Sequence, residues 1–136
     1  MFSFFQRHSH IAVLFLRIGT GFVFIYHGYN KIFAPGGIER FTGYLSGLGF
    51  PLPSVLAYTS GGVEFFGGCM LALGLLTRQA SLLLIVNMLV AVFIAHRHDT
   101  YPQKEHAIQM LVLSIGTLYS GSGAFSLENL VKKHGD

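Results

Sequence analysis

The sequence predicts an all-α integral membrane protein, a four-helix bundle with a short interfacial helix between its first two spans. Three observations point there. Hydrophobic residues make up 51% of the 136 positions and charged residues only 11%, against roughly 25% charged in an average soluble domain. A soluble chain this short exposes too much surface to cover with so few charges. The apolar residues fall in continuous runs near the roughly 20 residues that a hydrocarbon core demands. The runs do not alternate, which argues against a barrel, and backbone amides in lipid must be satisfied within each segment, which selects helices.

The first run, Ile11–Phe33, resembles a signal peptide only superficially. It is long, carries Arg17, and lacks a small-residue cleavage site, so it reads as a retained span. In the following Gly36–Pro53 segment, Ile38, Phe41, Leu45 and Leu48 recur at three- and four-residue steps. That is one apolar stripe on a short helix bounded by Gly36-Gly37 and Gly49-Phe50-Pro51, placed at the mouth of the bundle. The second span is Ser54–Leu76 and the third Gln79–Ala95; only Thr77-Arg78 joins them, so they form an antiparallel hairpin. A polar stretch, His96 to Glu105, precedes a shorter fourth span, His106–Ser120. The whole chain, 1–136, reads as one domain.

Four spans return the chain to its starting side. One side then carries Arg7, Arg78, Lys132 and Lys133, the other Lys31, Arg40, Arg97 and Lys104. Lysine and arginine counts tie under the positive-inside rule; Arg17, near its helix start, tips the expectation toward cytoplasmic termini. With Lys132-Lys133 the only adjacent basic pair, no nucleic-acid surface is expected.

Two charges fall inside apolar runs. Glu64 lies near the middle of the second and Arg17 within the first. Such groups are costly in lipid and face a bundle interior. At 100° per residue, Arg17, Gly21, Phe24, Gly28 and Lys31 share one face of the first helix, and Ala57, Gly61, Glu64 and Gly68 one face of the second. Small residues at these spacings let helices approach closely, so the two stripes are expected to mate with Arg17 and Glu64 inside. Direct pairing is opposed by side-chain lean, which carries the two toward opposite membrane faces. A structural ion pair and a proton-handling role both fit the residues.

Asn87 lies mid-span in the third helix, and Glu105, Gln109, Gly116 and Ser120 line a polar and small stripe on the fourth. These amides read either as interhelical glue or as the lining of an occupied cavity. His96, His98 and His106, with His27, lie toward one membrane face. Imidazole is a common metal and haem ligand, but the spacing matches no specific motif, so these histidines read as solvated interfacial residues and no metal site is assigned. The one cysteine, Cys69, cannot form an intrachain disulfide and reads as a packing residue; redox chemistry would have to come from a cofactor, a quinone or a partner.

Several segments together resemble the DoxX family. They are Leu16-Arg17-Ile18-Gly19, His27-Gly28 with Lys31, Gly49-Phe50-Pro51, Glu64 with Gly67-Gly68, and Leu73-Gly74-Leu75-Leu76-Thr77-Arg78. Gly121-Ser122-Gly123-Ala124-Phe125-Ser126-Leu127-Glu128 is similar to the family's G-x-G-x-x-S-L-D ending, with Glu for Asp. The resemblance spans about residues 11 to 130. It implies a small four-helix protein of a bacterial or archaeal cytoplasmic membrane. One branch resembles a subunit of an archaeal thiosulfate:quinone oxidoreductase; another is linked to membrane complexes that join soluble redox enzymes against oxidative stress. Arg17, Lys31, Glu64 and Arg78 match the family's recurrent polar positions, with no agreed catalytic role.

The expected function is a membrane redox subunit. A quinone headgroup is expected among Arg17, His27, Lys31, Glu64, Asn87 and Gln109, with Arg17 or His27 donating to a carbonyl oxygen and Glu64 relaying a proton. The alternative is a non-catalytic membrane anchor or scaffold for a soluble redox enzyme, favoured by the absence of any cofactor motif. A small-solute transporter is a third class, disfavoured by four spans without repeats.

Overall fold

The computed structural model describes residues 2–134. Its elements are α1 (Phe2–Arg7), α2 (Ser9–Ile32), α3 (Gly37–Gly47), α4 (Pro53–Leu73), α5 (Thr77–Val90), α6 (Tyr101–Ser120) and α7 (Leu127–His134). The described residues contain no strand. Three helices are long and apolar enough to cross a membrane: Ser9–Ile32, Pro53–Leu73, and Thr77–Ala95, the last including a π-helical turn at Ala91–Ala95 that extends α5. α6 is 20 residues long but opens with a polar turn and is not among the three.

α2 and α4 form the tightest pair. Their backbones meet because the facing stripes lack side chains. A Cβ on Gly68 would sit 2.7 Å from the Gly21 carbonyl oxygen and 2.7 Å from the Ile25 nitrogen, and one on Gly21 would sit 2.8 Å from the Ala72 nitrogen. Further along, Gly28 abuts Phe65, and Gly61 abuts Ile32 and Lys31. Rising numbers on α2 meet falling numbers on α4, so the pair is antiparallel. In lipid there is no hydrophobic drive between helices, and close packing of this kind supplies the attraction.

α5 and α6 complete the core. Phe24, Leu71, Ala80, Leu84, Met88 and Met110 form one buried apolar cluster drawn from α2, α4, α5 and α6. Ser81 and Thr117 hydroxyls meet at 2.7 Å between α5 and α6, both buried. Such an interhelical bond in a membrane is worth about 0.6 kcal/mol. α6 turns Ala107, Met110, Ser114 and Thr117 inward, at steps of three, four and three residues.

α3 lies against α4 with Leu45 buried, Ile38 and Phe41 half-buried and Leu48 exposed, close to the expected stripe. α6 starts earlier than expected. The stretch read as polar loop through Glu105 is helical from Tyr101, because Thr100 and Gln103 form a capping box and Pro102 sits in the first turn. The N-terminal half of α2 and the segment after α6 occupy the same end: His10 and Phe125 rings lie 5.4 Å apart, and Gly123 abuts Val13.

The close approach of α2 and α4 generates a paired prediction. Gly68→Ala forces backbone apart and should cost about 1–3 kcal/mol, as overpacking does. Gly19→Ala, with nothing within 4 Å of the added methyl, should be neutral or stabilising by up to about 1 kcal/mol. Denaturation of the purified variants in detergent checks this; equal behaviour of the two would show that the helices are not packed as described.

Candidate functional site

Glu64 lies on the inward face of α4 and is 2% exposed. A carboxylate so deeply buried requires compensation. Lys31 Nζ, from the last turn of α2, donates to Glu64 Oε1 at 2.7 Å. Asn87 Nδ2, from α5, donates to the same oxygen at 3.0 Å. The ammonium also lies 4.5 Å from the centroid of the Phe41 ring on α3, a cation–π contact. Glu64 Oε2 is buried and has no partner among the described residues. Three spans and α3 thus converge on one carboxylate with one oxygen left over.

Two adjoining cavities share the Lys31–Glu64 pair. One, of about 260 Å³, is lined by His27, His96, His106 and Tyr44, with Phe24, Met88 and Met110 behind. The other, of about 420 Å³, runs between α3, α4 and α5 and is walled by Leu56, Val63, Leu83, Val86 and Val90, with Asn87 at its polar end. The first is a histidine-rich mouth, the second an apolar pocket.

Several contacts fix the mouth. His27 and His106 rings face each other at 4.4 Å between centroids. His96 Nδ1 and Asp99 Oδ2 lie 2.6 Å apart, and Tyr44 stacks on Phe41 at 6.5 Å. Burial, and secondarily the Asp99 charge, push the Tyr44 phenol above its ordinary pKa, so it remains a protonated donor. The π-helical turn at the end of α5 brings Ala91, Ala95 and His96 to the cavity walls; such turns recur at functional sites. Among the described residues, no group of three or more His, Cys, Asp or Glu side chains is gathered to hold a metal ion.

The expected site needs two corrections. Arg17 is buried in the interior, as its stripe predicts, but not beside Glu64. Its guanidinium donates to the Phe125 carbonyl at 2.7 Å and to the Ser122 carbonyl. Gly74, at φ +70°, yields the space it fills; a Cβ there would collide with the guanidinium. Arg17 staples α2 to the segment after α6 and packs against Gly74 of the α4–α5 turn. Fourteen residues separate it from Lys31 in sequence, about 21 Å along a helix. Gln109 is also outside the site. It is exposed, because the inward face of α6 runs through Ala107 and Met110; Glu105 and Ser120, on its stripe, are exposed as well.

The structure brings together His27, Lys31, Glu64 and Asn87, and adds His96, His106 and Tyr44, which sequence reasoning left in solvent or did not single out. His98 is exposed and bonds to Arg97 at 3.0 Å. The one available signal was positional: His27 lies one helical turn before Lys31, at the same membrane face as the later histidines.

Comparison with known proteins identifies the scaffold. The family model described as DoxX matches residues 12–97, a stretch holding Lys31, Glu64, Asn87, His27 and His96. The chain belongs to the DoxX family. It is 29% identical over 135 residues to a Bacillus subtilis protein named "Putative oxidoreductase CatD", covering 96% of this chain and 97% of that one. A Haemophilus influenzae relative named "Uncharacterized protein" is 36% identical over 131 residues, covering 91% and 93%. The Escherichia coli "Inner membrane protein YqjF" is 29% identical over 134 residues, covering 94% and 98%. No solved structure matches the chain. Membership in this family, relatives named as membrane proteins and three long apolar helices make this DoxX chain a membrane protein.

The geometry predicts which charges are coupled. Lys31→Met should strand the Glu64 carboxylate and cost about 3 kcal/mol, the low end for a broken buried pair because the Lys31 side chain is 26% exposed. Lys31→Met with Glu64→Leu should cost much less than the sum of the single changes. Arg17→Leu and Glu64→Leu should add to within about 0.5 kcal/mol, as separated sites do. Double-mutant cycles in detergent read both; coupling of Arg17 to Glu64 in place of Lys31 would contradict the assignment.

Proposed function

We propose that this DoxX protein is a redox subunit that spans the cytoplasmic membrane four times, with cytoplasmic termini, and binds a quinone headgroup beside Glu64. The observation that carries the reading is the unpartnered Oε2 of a buried carboxylate at the junction of a polar mouth and an apolar pocket. An apolar cavity with a few convergent polar groups is what a small amphipathic ligand needs. α6 supports the fourth span: it packs on α5 and α2 and ends beside the N-terminal half of α2.

The residues fit a quinone. Lys31 uses one N–H on Glu64 and has two more for a carbonyl oxygen. His27, His106 and the Tyr44 hydroxyl offer further donors at the mouth. The apolar walls of the larger cavity suit a ring substituent or the start of an isoprenoid tail. A quinone supplies two-electron, two-proton chemistry when bound. Glu64 Oε2 would accept or return a proton, while Lys31 and Asn87 hold Oε1 and keep the carboxylate in place. The relative named "Putative oxidoreductase CatD" is consistent with a redox role.

A short-chain quinone should stabilise the purified protein by mass action, by about 2.7 kcal/mol at a hundredfold over its dissociation constant. The stabilisation should shrink in Glu64→Gln and Asn87→Leu. It should persist in Gln109→Leu and His98→Ala, whose side chains lie outside the cavities. Folded protein that no quinone stabilises would favour the scaffold reading, in which the chain anchors a soluble redox enzyme.

A further inference from the structure

A second polar cavity lies at the opposite end of the molecule from Lys31, beside the segment that Arg17 staples. It encloses about 390 Å³ and is lined by Arg78, Gln79, Ser120, Ser122, Glu128 and Lys132, with Gly121 and Gly123 in its floor. The quinone reading makes no use of it.

Three features give it a chemical preference. Arg78 has no hydrogen-bond or ion-pair partner among the described residues, although Glu128 lines the same cavity. The Glu128 carboxylate instead pairs with Lys132 at 3.2 Å. The exposed guanidinium lies beside the backbone of Gly121, whose added Cβ would be 3.3 Å from Arg78 Nε. A planar fork with unused N–H groups matches the tetrahedral oxygens of a phosphate, and a second cation, Lys132, and the hydroxyls of Ser120 and Ser122 line the same cavity.

The location narrows the source. Arg78 follows the tight turn between two apolar spans, so the cavity opens where those helices leave the hydrocarbon. α7 forms one wall and presents Leu130 and Val131 exposed, while α1 at the same end exposes Phe2, Phe4 and Phe5. Apolar side chains of short terminal helices beside lysines are the pattern of segments lying on a bilayer surface. Arg7, Arg78, Lys132 and Lys133 at this end face Glu128 as the acidic residue among the described positions.

We propose that the Arg78–Lys132 cavity is a phosphate-binding site, filled by the headgroup phosphate of an anionic phospholipid or by a soluble phosphate. Arg78 supplies the directed N–H pair. Lys132 supplies the second charge, remaining shared with Glu128.

The test uses the full chain purified in detergent and measures thermal stabilisation by phosphatidylglycerol, phosphatidylcholine and inorganic phosphate separately. Phosphatidylglycerol should stabilise the protein far more than phosphatidylcholine, and the effect should weaken with salt. Arg78→Gln should raise the apparent dissociation constant about tenfold, the scale of one lost charged hydrogen bond. Arg78→Lys should recover part of it, and Lys104→Gln at the other end should change nothing. Stabilisation by inorganic phosphate without phosphatidylglycerol, lost in Arg78→Gln, supports the site with a soluble source. Overturning results are no stabilisation by either, or full stabilisation of a folded Arg78→Gln variant. The quinone experiment is independent, because neither set of residues lines the other cavity.

Discussion

A carboxylate buried among apolar helices must be compensated, and the arrangement around Glu64 is how this chain meets that requirement. Lys31 and Asn87 both bind Oε1, so one oxygen collects the compensation of two helices while the other is buried without a partner among the described residues. This fixes the relative height of α2, α4 and α5. It also sets where the cavities lie, since both form around the same pair. Replacing the pair by apolar side chains would fill the space at little energetic cost. The pair at the cavity junction is therefore where the proposed chemistry and the helix packing meet.

Arg17 solves the equivalent problem differently. It is as buried as Glu64 but binds backbone carbonyls of the segment that follows α6. Carbonyls in an irregular segment outside any helix have no intrahelical donor and must find one elsewhere. The guanidinium meets that need for Ser122 and Phe125, tying α2 to the segment after α6 while packing in the space left by Gly74. One end of α2 thus carries a structural cation and the other a cation paired with the candidate reacting group. About 21 Å of helix separates the two cations.

Much of this was legible from residue spacing. The faces holding Arg17, Gly21, Phe24, Gly28 and Lys31, and Ala57, Gly61, Glu64 and Gly68, follow from helical period alone, and both are inward. Pairing across helices was not legible, because periodicity gives angle around an axis and not height between axes. Lys31 was read as one of several polar lining residues, while height makes it the partner of Glu64. Gln109 failed for a related reason: its polar stripe and the buried stripe of Ala107, Met110, Ser114 and Thr117 compete for the inward face, and the set without a charge or a side-chain amide, whose hydroxyls bond within the bundle, is the one turned inward. The role of His96 depends on a π-helical turn, which shifts register by a fraction of a turn and leaves no mark in apolar sequence. The capping box that starts α6 is legible as Thr100 followed three residues later by Gln103, set within a stretch of polar residues.

Under the proposed chemistry the Glu64 carboxylate, buried with Oε2 unpartnered among the described residues, exchanges a proton when a bound quinone is reduced. Infrared difference spectroscopy on electrochemical reduction, with a short-chain quinone added to wild-type protein and to Glu64→Gln, tests it directly. The account predicts a carboxyl band that changes on reduction in the wild type and is missing from the Glu64→Gln difference spectrum. Identical carboxyl signals in both proteins, or none in a wild type that demonstrably binds quinone, would contradict it.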